Sequence, residues 1–512
     1  MSTMKGYYDF AKMLKETVTH SIDQFYNKKT YWAVIGGGII LRIIQYLYNR
    51  SLTEGEAALA LNIIQRSYGE LLQPLDYVQA APLGFLMLQK FMTNLFGSHE
   101  YALRLFPLIA GIISLFLFFD IAKKTINEKA IPIALILFAA GNHLIYFASE
   151  VKQYSSDVTF ALLILLFALT ILENKYRYKD IFLFGCVGAI SFWFSHPALF
   201  TFGAGIVVIC FAILRSRQWD VLLWLCIAII VALTSFIINY SIALESLINS
   251  KLFAASWHGR FESFPQVLLD AQWLGYVLLR LFKFPVGLSI YELFLAVFSF
   301  LVGCGLLFYK RARILLLLLL PILFTLIAAE LKIYPFEGRL VLFLTPFMVL
   351  IIAEGISYMQ KKAALGSPLV GIVLVFLLLI EPVVLAAYHI IVPRAPEELR
   401  TVMEYTDKHY RDRDVVYLYY ASFNAFQFYK DRFRFADDYV VGVDARSDWT
   451  RYDRDLRQLI GEERVWIMFS HVATWHGVDE EKLFLSYLER IGTRKDTFNA
   501  SGASVYLYDM SD

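Results

Sequence analysis

Apolar stretches long enough to cross a lipid bilayer recur from Tyr31 to Val392 and leave the chain little freedom in how it can fold. Hydrocarbon offers backbone amides no hydrogen-bond partner, so each stretch of about 20 residues must close its bonds within itself as a helix. Eleven spans are expected: 31–49, 101–122, 130–148, 155–172, 180–195, 197–214, 219–241, 286–309, 312–330, 339–359 and 368–392. Charged residues make up only 18% of the 512 and hydrophobic ones 58%. A soluble chain carries roughly a quarter charged residues, so this composition excludes an ordinary water-soluble enzyme.

Charge fixes the expected orientation. Every second connection is basic: Lys123, Lys124 and Lys129; Lys175, Arg177 and Lys179; Arg215 and Arg217; Lys310, Arg311 and Arg313; Lys361 and Lys362. The positive-inside rule assigns those loops to the cytoplasm. Residues 1–30 mix Tyr7, Phe10, Met13 and Leu14 with lysines, as a cytoplasmic amphipathic helix would. No cleavable signal precedes the first span, which therefore stays attached. An odd number of spans then sends 51–100, 242–285, 331–338 and everything after 393 to the outer face. The four cysteines all fall within predicted spans, so no disulfide is implied.

Beyond Pro393 the composition turns globular. Pro396–Tyr410 and Ser422–Tyr429 read as helices, and Asp414–Tyr420, Arg464–Ser470 and Ala503–Tyr508 as strands, which together make a small α/β domain. The organisation expected is a cytoplasmic segment 1–30, a membrane module 31–392 and an outer domain 393–512. Repeats of 20 to 50 residues and nucleic-acid motifs are both missing.

Long outer loops are where chemistry is expected. The first opens Thr53-Glu54-Gly-Glu56, where a carboxylate can activate a hydroxyl nucleophile, while Thr53 and Glu56 also have the spacing of a helix capping box. Gln79 sits in a turn-rich stretch entering a second interfacial helix, and Arg104 lies one turn inside the second span, either snorkelling or serving a site. Glu150, Lys152, Tyr154 and Asp157 crowd a tight connection between the third and fourth spans. Asp157 there either caps a helix or helps to hold an acceptor or a divalent metal. His258 and Arg260 lie in the long loop 242–285, among aromatics suited to the interface. Lys332, Tyr334 and Arg339 stand at a late turn, where cations can hold a lipid phosphate or respond to anionic headgroups. In the last domain, Tyr417, Tyr419, Tyr420, Phe423, Phe426 and Phe428 read mainly as core, with glycan contact as the alternative.

Taken in order, Glu54 and Glu56, the stretch from Gln79 to Phe85, the Glu100-to-Pro107 entry, Glu150 to Asp157, and Tyr334 to Arg339 resemble the C-type (GT-C) membrane glycosyltransferases. Within them the resemblance is to the family 39 relatives, which include protein O-mannosyltransferases and the lipid A aminoarabinose transferase. It implies a polytopic α-helical membrane fold of about eleven helices with a small outer α/β domain. It also implies transfer of a sugar from a polyprenyl-phosphate donor to an acceptor hydroxyl of a lipid or glycan, with inversion, in a bacterial cytoplasmic membrane. In that family an Asp-Glu pair in the first outer loop serves the acceptor. Here the pair reads Glu-Gly-Glu, with Glu56 favoured over Glu54 as the base, and Gln79-Ala80 stands where the aminoarabinose transferase pattern has Glu-Lys. The competing classes are a transporter or flippase and a binder of lipid-linked glycan without turnover, but the paired repeats usual in transporters are absent.

The orientation is testable by cysteine labelling. In a variant whose native cysteines are serine, Glu462→Cys is expected to react with an impermeant maleimide in intact cells, and Lys175→Cys only after permeabilisation.

Overall fold

The structure is a computed structural model that describes residues 28–244, 275, 279–363 and 367–511. Most of the expected segment 1–30 and of loop 242–285, with His258 and Arg260, lies outside the described residues.

The membrane module begins with α1 (Lys28–Leu47), followed by two helices too short to span, α2 (Glu54–Gln65) and α3 (Leu83–Phe96). Phe91, Leu95 and Phe96 of α3 are exposed, which suits a helix lying in an interface. Next come α4 (Glu100–Thr125), the short pair α5 (Ile131–Ala139) and α6 (Asn142–Phe147), then α7 (Tyr154–Glu173), α8 (Tyr178–Phe194), α9 (Ala198–Ser216) and α10 (Trp219–Asn239). The module closes with α11 (Ile290–Glu330), α12 (Thr345–Ala363) and α13 (Pro368–Ile391).

Eight helices among the described residues are long and apolar enough to cross a membrane. One of them, α11, holds two of the expected spans, joined at Arg311, whose backbone is non-helical (φ −147°, ψ 54°). Two other expected spans differ in form. The fifth, α8, is a helix of 17 residues. The third, expected as one helix over 130–148, is broken at Ala140 and Gly141 into α5 and α6. Carbonyls freed by such a break must find donors inside the protein. Arg42 of α1, fully buried, supplies one, donating to the Ala139 carbonyl at 3.2 Å as well as to its own Gly38 at 2.9 Å.

Helices α11 and α12 approach very closely. A side chain at Gly355 would meet the Ser299 carbonyl oxygen at 1.8 Å, so only glycine permits this crossing. Thr345–Ser357 of α12 are all buried, which places that stretch inside the bundle behind the 3₁₀ segment Gly338–Leu344.

The C-terminal part runs α14 (Leu399–His409), β1 (Val415–Leu418), α15 (Phe423–Tyr429), β2 (Tyr439–Val441), α16 (Thr450–Leu456) and β3 (Val465–Ser470). A two-stranded hairpin, β4 (Thr474–Trp475) with β5 (Val478–Asp479), precedes α17 (Glu480–Ile491), β6 (Thr493–Ala500) and β7 (Ala503–Asp509). The main sheet has the order β2-β1-β3-β7-β6, parallel across its first three strands and antiparallel across its last three. Strand β3 is wholly buried, as a central strand covered on both faces should be. Tyr417, Tyr419 and Phe426 are likewise fully buried, so the core reading holds for them, while Tyr420, Phe423 and Phe428 are half-buried.

One face of the domain shares a hydrophobic core with the first loop: Leu52, Ala57, Ala60 and Phe85 pack in one cluster with Val402, Phe426 and Met468. Polar contacts clamp the same joint. Glu54 accepts from the Asn424 amide at 3.0 Å, the Asn424 side chain at 2.6 Å and the Ala425 amide at 2.9 Å, capping α15 across the interface. Arg400 pairs with Glu100 at 2.7 Å, and the Leu52 amide donates to the Tyr429 hydroxyl at 2.8 Å.

Burial pushes the Glu54 carboxyl up to about 6, against the hydrogen bonds that pull it down. A carboxyl raised in the folded state stabilises the joint below its ordinary pKa, and that contribution is lost as pH rises through about 6. Glu54→Gln is therefore expected to keep a similar unfolding midpoint between about pH 5 and about pH 7.5, where the wild type loses stability. Thermal unfolding of the two proteins side by side reads this difference.

Candidate active site

A fully buried polar cluster forms around Glu56, in the first turn of α2. Its carboxylate receives Arg50 at 2.5 Å and Arg104 at 3.0 Å, and the Val151 amide donates to it at 2.9 Å. The capping box read from the sequence is present, with the Thr53 amide donating to Glu56 at 3.1 Å and the Glu56 amide to the Thr53 hydroxyl at 3.3 Å. Burial alone would raise the Glu56 carboxyl, but Arg104 and Arg50 overcome it and hold the group well below the usual carboxylate range. A carboxylate wholly buried, gripped by two arginines and that acidic is a poor proton acceptor.

Both expected bases therefore have structural partners, Glu56 at the hub and Glu54 at the domain joint. Arg104 does not snorkel: it is buried, donating also to the Arg50 carbonyl at 2.7 Å and the Ser51 carbonyl at 3.2 Å.

What the hub holds is the turn carrying Glu150. Arg50 donates to the Ser149 carbonyl at 3.1 Å and Glu56 accepts from Val151, so the backbone on both sides of Glu150 is fixed. The Glu150 side chain is buried, and its Oε2 has no hydrogen-bond partner. Arg339 stands 3.6 Å from its other oxygen, and the same guanidinium lies 5.4 Å from the Tyr154 ring centre. Lys152, also buried, donates to the Gln79 side-chain oxygen at 2.6 Å. Burial raises the Glu150 carboxyl, while burial and then Arg339 lower the Lys152 ammonium. Each group is thus poised to gain from a ligand that brings the charge it lacks.

Asp157 sits in the first turn of α7, buried, with Oδ1 unpartnered. Nearby, Tyr334 donates to the Leu340 carbonyl at 2.9 Å and packs against Phe200. Burial first, then the Asp157 and Tyr154 charges, pushes its hydroxyl well above the usual range. Expected site residues thus come together from four separate segments: Gln79, the turn Glu150–Lys152, the head of α7, and Tyr334 with Arg339. Lys332 does not join them, because it is exposed at a turn with positive φ (57°). Among the described residues no group of three or more His, Cys, Asp or Glu side chains stands ready to hold a metal ion.

Sequence reasoning missed Arg50 and Arg394. Arg50 ends the first span on the side where the positive-inside rule places few cations, and that anomaly was the available signal. Arg394 lies 4.5 Å from the Tyr146 ring centre, as Arg50 lies 4.6 Å from it, and nothing in the sequence singled it out.

The chain has the fold of the C-type membrane glycosyltransferases. Residues 80–240 match the family model of dolichyl-phosphate-mannose-protein mannosyltransferase. The apo structure of ArnT from Cupriavidus metallidurans is similar over 94% of this chain and 98% of that one, with a TM-score of 0.52 and 12% identity. ArnT bound to undecaprenyl phosphate is similar over 93% and 98%, with a TM-score of 0.50 and 13% identity. The archaeal oligosaccharyltransferase AglB from Archaeoglobus fulgidus, in complex with an inhibitory peptide and a dolichol-phosphate, is similar over 93% and 74%, with a TM-score of 0.50 and 11% identity. No curated protein sequence matches the chain.

Glu56→Ala is expected to destabilise the protein by about 3–5 kcal/mol, because it leaves two buried guanidinium groups unpaired. Replacing Arg50, Arg104 and Glu56 together with methionine is expected to restore much of that loss. Thermal unfolding in detergent reads both, and equal stability of the single variant and wild type would show that the hub bears no load.

Proposed function

We propose that the protein transfers a sugar from a polyprenyl-phosphate donor to an acceptor hydroxyl on a lipid or glycan, at the outer face of a bacterial cytoplasmic membrane. The observation that carries this reading is the free, buried Glu150 oxygen beside Arg339 and Lys152, on the fold of the C-type glycosyltransferases. In this reading the module 31–392 performs the transfer and the domain from 393 onward covers its first outer loop.

Arg339 and Lys152 hold the donor phosphate, and Gln79 and Tyr154 orient them. The acceptor oxygen attacks the anomeric carbon as the bond from that carbon to the phosphate oxygen breaks, with inversion. Polyprenyl phosphate leaves with the bonding electron pair, and the two cations stabilise its growing charge. Glu150, whose basicity burial raises, takes the acceptor proton. This moves the base from Glu56 and Glu54 to the turn that Glu56 positions. Asp157 and Tyr334 line the acceptor side.

The test is sugar release from a panel of polyprenyl-phosphate sugars by protein in lipid nanodiscs. Glu150→Gln is expected to bind the donor yet lose about 100-fold or more of turnover, and Arg339→Ala to bind the donor about tenfold more weakly. If Glu150→Gln stays active while a folded Glu56→Gln does not, the base is Glu56. If no lipid-linked sugar is bound or consumed by the wild type, the transferase reading fails and transport is to be assayed.

A further inference from the structure

At the far end of the bundle from this cluster lies a cavity of about 530 Å³. Arg104 and Lys124 lie at opposite ends of α4, 20 residues or about 30 Å apart, so the cavity and the cluster occupy opposite bilayer surfaces.

Three chain segments bring cations to its rim: Lys124 from the end of α4, Arg215 from the end of α9, and Lys310, Arg311 and Arg313 around the kink in α11. The single carboxylate in its lining, Glu173, is paired with Lys124. Arg311 is spent on structure, donating to the Lys124 and Thr125 carbonyls at 3.4 and 3.3 Å and tying the kink to α4. Among the described residues, Arg215, Lys310 and Arg313 have no carboxylate at ion-pair distance. Dispersed loop cations satisfy the positive-inside rule in water, whereas these converge on one cavity.

The rest of its lining is largely apolar. Leu169 and Leu172 of α7 and Leu316 of α11 form part of the lining, and Phe211 and Phe308 stand 53% and 72% exposed beside it. A free phosphate ion would have no use for those rings, but a lipid would lay its acyl chains along them. Basic pockets between membrane helices recognise anionic headgroups in this way.

We infer that this cavity binds an anionic phospholipid, with its phosphate held among Arg215, Lys310 and Arg313 and its acyl chains against Phe211 and Phe308. The site is separate from the donor site and does not depend on the transferase reading.

Native mass spectrometry of the delipidated full-length protein tests this, with phosphatidylglycerol and phosphatidylcholine of identical acyl chains titrated in parallel. The wild type is expected to retain phosphatidylglycerol about tenfold over phosphatidylcholine. Arg215→Gln with Lys310→Gln and Arg313→Gln should bring that ratio near one, each single variant lowering it partway, with Arg311 and its structural contacts left in place. Phe211→Ser with Phe308→Ser should weaken retention of both lipids and leave the ratio unchanged. Inorganic phosphate at millimolar concentration should not displace the lipid. A headgroup preference that survives in the triple variant, or full displacement by inorganic phosphate, overturns the inference.

Discussion

Most of what is ordered at the functional end of the bundle hangs on one buried carboxylate. Glu56 shares its two oxygens between Arg50 and Arg104 and accepts from the Val151 amide, so it ties α2, the segment that follows α1, α4 and the Glu150 turn together at a single point. An isolated charge in so dry a place would be prohibitively costly. Three charges, with most of their remaining donors taken by the Arg50, Ser51 and Ser149 carbonyls and only the Arg50 Nε left without a partner among the described residues, are affordable, and the geometry they impose is narrow. The same interactions that make Glu56 a strong anchor make it a weak base.

The electrostatics of the two neighbouring carboxylates diverge for that reason. Glu56 has two cations at hydrogen-bond distance and keeps its charge. Glu150 has one cation at 3.6 Å and an oxygen without a partner, so burial dominates and raises its pKa. In the proposed mechanism, two carboxylates pushed in opposite directions by their surroundings divide the labour between holding structure and handling protons. Arg339 and Lys152 repel one another across the same space, an arrangement that an incoming phosphate would relieve.

The C-terminal domain is fused to the first loop by a common core and by Glu54, which caps α15 across the joint. The tight β6–β7 turn adds to the seam: a side chain at Gly502 would strike the Pro396 carbonyl oxygen at 1.7 Å, where the chain leaves the membrane module. The C-terminal domain is therefore packed firmly against the loop that orients the cluster.

Hydrophobic length determined, by itself, that this is a multi-pass helical membrane protein, and the change of composition after Pro393 determined that a small α/β domain follows. Those properties are carried by composition along the chain and need no partner. Edge strand β6 was missed because Thr493-Arg-Lys-Asp has no alternating apolar face, as an exposed edge does not need one. The break between α5 and α6 was missed because Arg42, far away in sequence, completes it. The set of chemically distinctive residues was legible from their density in short loops, but their roles were not. Whether a glutamate is a base or an anchor depends on what faces it in space. Only the tertiary structure brought Arg50 and Arg104 onto Glu56 and left an oxygen of Glu150 free, because a carboxylate's basicity is set by its neighbours and its access to water.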